Sequence, residues 1–278
     1  MKYLQEVWGS RELLYNLTSR EVRSKYKRTI FGQLWSLANP LALMLIYSLV
    51  FGVLFKSNPP PGSPSGLDVF ALWLLCGLLP WTFFSAVVST AAYSLVGSAN
   101  LIQKVSFSRI VLPLSTVGSS AYNWAFEMIV LFLALSIAGS FVLPWIPLVI
   151  VAMALLAIFA AGIGLLCAIA NVYFRDTQYL LGIVLQLWIY LTPIIYPIEL
   201  VASSSQKHGG LLGTPFTILD LYNLNPMVHF VALFRQLMYD QRWPDPSVWL
   251  ICTLWALAAL AIGMFVFRKN ERNLAETL

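Results

Sequence analysis

Few side chains in this sequence could act on a covalent bond. Glu127 stands in a long apolar run with Asn123 one helical turn before it, and it is the one acidic residue well inside such a run. A carboxylate in that setting either serves a moving ligand or is tied down by a neighbour such as Asn123, and the spacing leaves both readings open. His208 and His229 lack the spacing of a helical metal pair and read as surface or packing residues. Cys76, Cys167 and Cys252 fall inside apolar runs without a CxxC or Cys/His pattern, so neither a disulfide framework nor a metal site is expected. The GxxxxGK[ST] phosphate loop is missing, so the chain does not bind ATP by that device. No catalytic residue and no metal ligand is therefore assigned.

What remains is the chemistry of recognition. Arg20, Arg23, Lys25, Lys27 and Arg28 fall within nine residues, directly before the first long apolar run. They suit anionic lipid headgroups and act as an orientation anchor. Arg23, Lys25, Lys27 and Arg28 are also candidates to attract an anionic lipid head. Tyr47, Phe51 and Phe55 recur at intervals of four, and Trp188, Tyr190 and Tyr196 share a later apolar run. An interfacial aromatic belt accounts for Phe55 and Tyr196. It accounts less well for Tyr47 and Trp188, where rings lining a path for sugar are the second reading. Arg235 sits among apolar residues and is expected to snorkel or to pair with a carboxylate such as Asp220 or Asp240.

The elements that must position these residues are membrane spans. Hydrophobic residues make up 59% of the 278 and charged residues 10%, with a mean hydropathy of +0.77. A soluble domain carries roughly 25% charged residues, so the expected class is an all-α integral membrane protein. Six spans are predicted, over 35–55, 69–93, 113–138, 142–170, 179–196 and 248–267. Gly77 and Pro80 are expected to break the second span where it faces protein or a cavity. Small residues in the fourth, Ala157 to Ala168, predict close helix packing. Thr18 and Glu21 have capping-box spacing, which predicts a surface helix starting there with Val22, Tyr26 and Ile30 on one apolar stripe. Residues 226–239 are apolar but too short to span, which predicts re-entrant or interfacial helices before the last span.

The domain plan is a cytoplasmic N-terminal segment over 1–34 with its amphipathic helix, a six-span domain over 35–267 and a cytoplasmic tail over 268–278. With six spans, thirteen Lys and Arg residues lie on the side of the termini and four on the other. The positive-inside rule then places both termini in the cytoplasm. The formal charge of +5 belongs to these flanks, so no nucleic-acid partner is implied.

Four segments, 20–41 (REVRSKYKRTIFGQLWSLANPL), 77–84 (GLLPWTFF), 99–114 (ANLIQKVSFSRIVLPL) and 175–197 (RDTQYLLGIVLQLWIYLTPIIYP), with a weaker fifth at 225–239, occur in the right order over nearly the whole chain. Together they resemble the permease subunit of bacterial type-two ABC exporters, in the branch that exports lipid-linked polysaccharides such as O-antigens, capsules, teichoic acids and galactans. The resemblance implies a homodimer in the bacterial cytoplasmic membrane. It also implies two copies of a separate ABC ATPase that holds the ATP and Mg, with no cofactor in this chain. The implied ATPase-coupling residues are Asn100, Lys104, Arg109, Arg175 and Asp176. A channel lined by the first and fifth spans would carry a polyprenyl-diphosphate-linked glycan past Tyr47, Phe51, Phe55, Glu127, Trp188, Tyr190 and Tyr196. Two other readings are an exporter of the same type for a drug or simple lipid, and a membrane-bound glycan transferase. The second lacks the clustered carboxylates its chemistry needs.

Replacing Lys25, Lys27 and Arg28 together by Gln should leave the chain's orientation unchanged, because ten Lys and Arg remain on that side. Topology reporters fused after Asn270 check this; an inverted reporter signal would show that the cluster alone sets orientation.

Overall fold

The computed structural model describes residues 9–54, 61–105, 107–208 and 217–274, and is helical with no strand among them. Five of its segments are long and apolar enough to cross a membrane: Gly32–Leu54, Phe70–Gly97, Val111–Ile137, Leu143–Tyr173 and Pro246–Asn270. In chain order the helices are α1 (Arg11–Lys25), α2 (Trp35–Tyr47), α3 (Phe70–Gly97), α4 (Ala99–Lys104), α5 (Val111–Ile137), α6 (Ile146–Tyr173), α7 (Thr177–Tyr190), α8 (Ile198–His208), α9 (Ile218–Asn223), α10 (Pro226–Arg235) and α11 (Pro246–Asn270). A wider π-type segment, Ser48–Leu54, prolongs α2, and another, Gln236–Asp240, prolongs α10.

Helix α3 is the centre of the bundle. It packs on α5, α6, α7 and α10, and its apolar side chains from Leu72 to Leu95 are largely buried. The expected break at Gly77 and Pro80 does not occur, and the helix is continuous through both. Both residues are buried against protein, as the cost of exposing a disturbed backbone to lipid requires. A methyl on Gly77 would lie 3.0 Å from the Arg235 guanidinium, so this glycine makes room for that side chain. Helices α6 and α11 approach just as closely. A methyl on Gly263 would overlap the Gly162 carbonyl, and one on Gly162 would overlap the backbone of Ala259. The small-residue run thus serves packing, although its tightest point is Gly162.

Several sequence boundaries shift. Helix α1 begins at Arg11 rather than at Thr18, because Glu21 hydrogen-bonds to α5 instead of capping a new helix. It ends at Lys25, and Arg28 takes a left-handed φ of 65°, so Ile30 lies beyond the helix, 94% exposed, and does not share a stripe with Val22 and Tyr26. The stretch between the predicted second and third spans, 94–112, contains the end of α3 and the short α4. Asn171, one residue beyond the predicted fourth span, is buried in α6 and donates through Nδ2 to the Ala92 carbonyl at 2.9 Å.

The predicted fifth span departs most. Only Thr177–Tyr190 is helical, 14 residues or about 21 Å at 1.5 Å per residue, and the chain then turns at residues 191–194. Pro193 and Pro197 bias the residues before them away from helical geometry and remove two amide donors. The freed carbonyls are met from α10 and its cap. Arg235 donates through Nη1 to the Pro193 carbonyl and through Nη2 to that of Ile194, both at 2.6 Å, with its Cζ 3.5 Å from the centroid of the Trp73 ring. Asn225 Nδ2 donates to the Leu191 carbonyl at 3.0 Å and to Thr192 Oγ1 at 3.1 Å.

The expected carboxylate pairing of Arg235 is therefore corrected. Asp240 faces Arg242 at 3.4 Å, and Asp220 closes a capping box with Thr217. The Thr217 amide and hydroxyl hold the Asp220 carboxyl below its usual range. His229 contacts the Asn223 carbonyl through Nε2 at 2.7 Å, in keeping with a packing role.

Arg235→Met should destabilise the protein by about 2–4 kcal/mol, since it leaves two carbonyls without donors in apolar surroundings. Thermal unfolding in detergent checks this, and an unchanged midpoint would show that the turn is held by other contacts.

Candidate functional site

The candidate residues gather at two places, near opposite ends of the bundle. At the end of the first span, Tyr47 lies edge-on to Phe51, with ring centroids 6.3 Å apart, and beside Tyr190 of α7. Tyr196 donates to the Tyr190 carbonyl at 2.6 Å, and its hydroxyl meets that of Tyr222 at 2.7 Å. Four tyrosines thus run from α2 through α7 to α9, and Tyr222 is the member that sequence reasoning missed. No spacing signal could reveal it, because it comes from a separate helix. Phe55 lies outside the described residues.

Trp188 faces elsewhere. Its ring centroid is 6.0 Å from Trp81 and 5.3 Å from Phe84, both edge-on, and its Nε1 donates to Asn225 Oδ1 at 2.9 Å. It joins an aromatic network that continues from Phe84 through Phe159 to Phe230, while Phe83, Trp124 and Phe234 form a parallel set. These rings lock the buried α10 against α3, α5 and α6. Edge-to-face and offset pairs of this kind each contribute about 0.5–1.5 kcal/mol beyond burial.

Glu127 belongs to the other place. Helix α1 runs along the first turns of α5: Thr18 packs at Gly118, Ser115 and Ser119 donate to Glu21 at 3.1 and 2.9 Å, and Tyr26 donates to Asn123 Oδ1 at 3.0 Å. Burial pushes the Tyr26 phenol above its usual range, so it stays a neutral donor. A cavity of about 480 Å³ opens beside this contact, with Glu127 and Asn123 on one wall and Trp35 and Ser36 of the first span on another. The carboxylate thus lies at the level where the first span begins. Ser36 lies near both Tyr26 and Glu127 without hydrogen-bond geometry to either. Asn123 is engaged by Tyr26, not by Glu127.

Arg23, Lys25, Lys27 and Arg28 are exposed around the end of α1, with Lys25 Nζ 5.7 Å from the centre of the Tyr26 ring. Asn100 and Lys104 on α4, and Arg175 and Asp176 before α7, are also exposed. Arg109 is held by the last turn of the chain: its amide donates to Glu271 Oε1 at 3.0 Å and its guanidinium to the Glu271 carbonyl. A second apolar core, including Leu17, Ile102, Val111, Val172, Phe267 and Leu274, ties α1, α4, α5, α6 and α11 together at this end. A carboxylate before α5 also suits the positive pole of that helix. Among the described residues no group of His, Cys, Asp or Glu could hold a metal ion.

The architecture defines a multi-pass helical membrane protein whose polar residues cluster at its two ends, with a buried aromatic core between them. Residues 12–239 match the profile of the ABC-2 type transporters, and the chain belongs to that family. It is 28% identical over 284 residues, all of both chains, to an O-antigen export system permease protein RfbA of Myxococcus xanthus. A protein of the same name from Klebsiella pneumoniae is 26% identical over 271 residues, 96% of this chain and 95% of its own. A polysialic acid transport protein KpsM of Escherichia coli is 26% identical over 258 residues, 91% of each.

Glu271→Ala should loosen the start of α5 by about 1 kcal/mol through loss of a capping acceptor, while Glu271→Gln keeps it. Hydrogen exchange at residues 107–112 checks this, and equal exchange in both variants would remove the role.

Proposed function

We propose that this chain is the permease subunit of an ATP-driven exporter that moves polysaccharide across the bacterial cytoplasmic membrane. Its similarity along the whole chain to named O-antigen and polysialic acid export proteins carries this reading. The hydrolysis of ATP, with its Mg, falls to a separate ABC ATPase, since this sequence has no phosphate loop. Two copies of each subunit make the working unit, and both termini face the cytoplasm. The ATPase docks where Asn100, Lys104, Arg109, Arg175 and Asp176 gather with α1.

The fifth of six crossings combines α7 with the turn that follows, and α8 to α10 re-enter the membrane from the outer side. The length of α7, too short to cross alone, and the burial of α10 support this. The glycan is carried on a polyprenyl diphosphate whose charge is drawn by Arg23, Lys25, Lys27 and Arg28. Sugar moves past the tyrosines of the first and fifth spans, whose exposed faces are apolar: Leu45, Leu49 and Val53 on one, Leu180, Ile183, Leu187 and Tyr190 on the other. Flat rings with few fixed hydrogen bonds offer contact without tight binding, which suits a polymer that must slide. Trp188 supports the path from behind, through Asn225 and the end of α7.

Deleting the chain should abolish surface polysaccharide while lipid-linked precursor accumulates inside; normal surface polysaccharide would overturn the reading. Tyr47→Ala and Tyr190→Ala should each lower export severalfold with the assembly intact, measured as surface polysaccharide per copy of the permease.

A further inference from the structure

Three helix ends meet at the end of the bundle that carries α1. Helix α5 begins at Val111, α6 ends at Tyr173 and α11 ends at Asn270. The last carbonyls of a helix have no partner within it. The one at Glu271 accepts from the Arg109 guanidinium, a cation set at the negative pole of α11. Glu271 closes the pair in the other direction, its Oε1 accepting from the Arg109 amide at 3.0 Å. Asn270 makes the third link. Its Nδ2 donates to the Val266 carbonyl at 2.8 Å, which turns Oδ1 towards Tyr173, and the Tyr173 hydroxyl donates to that oxygen at 3.1 Å. Apolar packing backs these bonds, because Phe267 and Leu274 are fully buried in one core with Ile110 and Val172.

The two stretches joined in this way carry the exposed residues of this end. Asn100 and Lys104 lie on α4, shortly before Arg109, while Arg175 and Asp176 follow directly on Tyr173, and all four are exposed. Arg109 differs from them. It is half-buried and its guanidinium is bonded to Glu271. Helix α11 is itself seated on α6, backbone against backbone at Gly162 and Gly263, which leaves its end little freedom to shift alone. We infer that Asn270 and Glu271 form a joint through which the two exposed stretches move as one unit, and that Arg109 is a positioning residue of this joint rather than a contact for a partner. A push on either stretch reaches the other through the end of α11. The inference rests on the export reading, in which those stretches meet the ATPase, and it names the residues that keep ATP hydrolysis and transport in step.

The first test is hydrogen exchange on the full-length protein in nanodiscs, read on the stretch opposite each substitution. Tyr173→Phe removes one hydroxyl, keeps the ring and should speed exchange at residues 107–112 about threefold. Glu271→Ala, which breaks a bond only to the stretch before α5, should do the same at residues 174–178. Exchange that rises only where the lost hydrogen bond lay would show two separate contacts and overturn the joint. Tyr173→Phe is mild enough to decide this even if the Glu271 variant fails to fold. The second test is in cells. Glu271→Ala with Tyr173→Phe should lower surface polysaccharide per copy of the permease about fivefold, while the ATPase that copurifies with the permease and its ATP hydrolysis change less than about twofold. Glu271→Gln in place of the alanine keeps the acceptor and should restore export. Unchanged export, or copurified ATPase that falls in step with export, would overturn the coupling role. The exchange measurement needs no substrate, so its failure removes the joint and leaves the export reading standing. Normal surface polysaccharide in a deletion strain removes the export reading whatever the exchange shows.

Discussion

The grip of Arg235 on the carbonyls of Pro193 and Ile194 is the contact on which the half of the molecule around α7 and α10 depends. A chain that stops being helical among apolar side chains leaves carbonyls that water cannot reach, and each needs a donor from protein. Arg235 meets two of them from a helix that crosses beneath, and its charge rests on the face of Trp73. The consequences spread outward. Gly77 has no side chain because the guanidinium lies there, α10 is buried because its arginine must reach the turn, and α7 stops after 14 residues because its end is held elsewhere.

The rest of the bundle follows from close packing without a strong hydrophobic force between spans. Gly162 and Gly263 let α6 and α11 touch through their backbones, and two sets of aromatic rings fill the space around α3. Flat, large rings interdigitate well and lose little conformational freedom, so they suit an interior where dispersion contacts hold the helices. Helices α10 and α7 pack on one aromatic network.

The opposite end is organised by polar contacts. Glu21 and Tyr26 fasten α1 to α5, and Glu271 fastens the last turn to the residues before α5, so three separate stretches meet on one helix. That arrangement gathers the exposed basic residues of α1 with α4 and the turn before α7 on one surface. It also raises the cavity wall of Glu127 to the level of the first span's beginning. That surface and the cavity beside it both rest on α5.

The sequence by itself determined the class, since hydrophobic content and run length decide whether a chain can live in lipid. It also placed five spans within a few residues and located the short apolar helix before the last of them. It named Tyr47, Tyr190 and Tyr196 within a longer set of aromatic candidates, because ring types on apolar helices are visible in one dimension, but not that these three meet while Trp188 faces elsewhere. Other features depended on tertiary structure. Arg235 looked like half of an ion pair, since composition shows carboxylates nearby but not the carbonyls that a proline-broken helix leaves free. Thr18 and Glu21 matched a capping box, yet Glu21 answered to two serines nearly a hundred residues away. Glu127 seemed deep by its distance along its own helix, whereas depth is set by the neighbours alongside, and these are Trp35 and Ser36. Local spacing encodes helices and their faces; hydrogen-bond partners distant in the chain are chosen by the packing of one helix on another, which no single stretch contains.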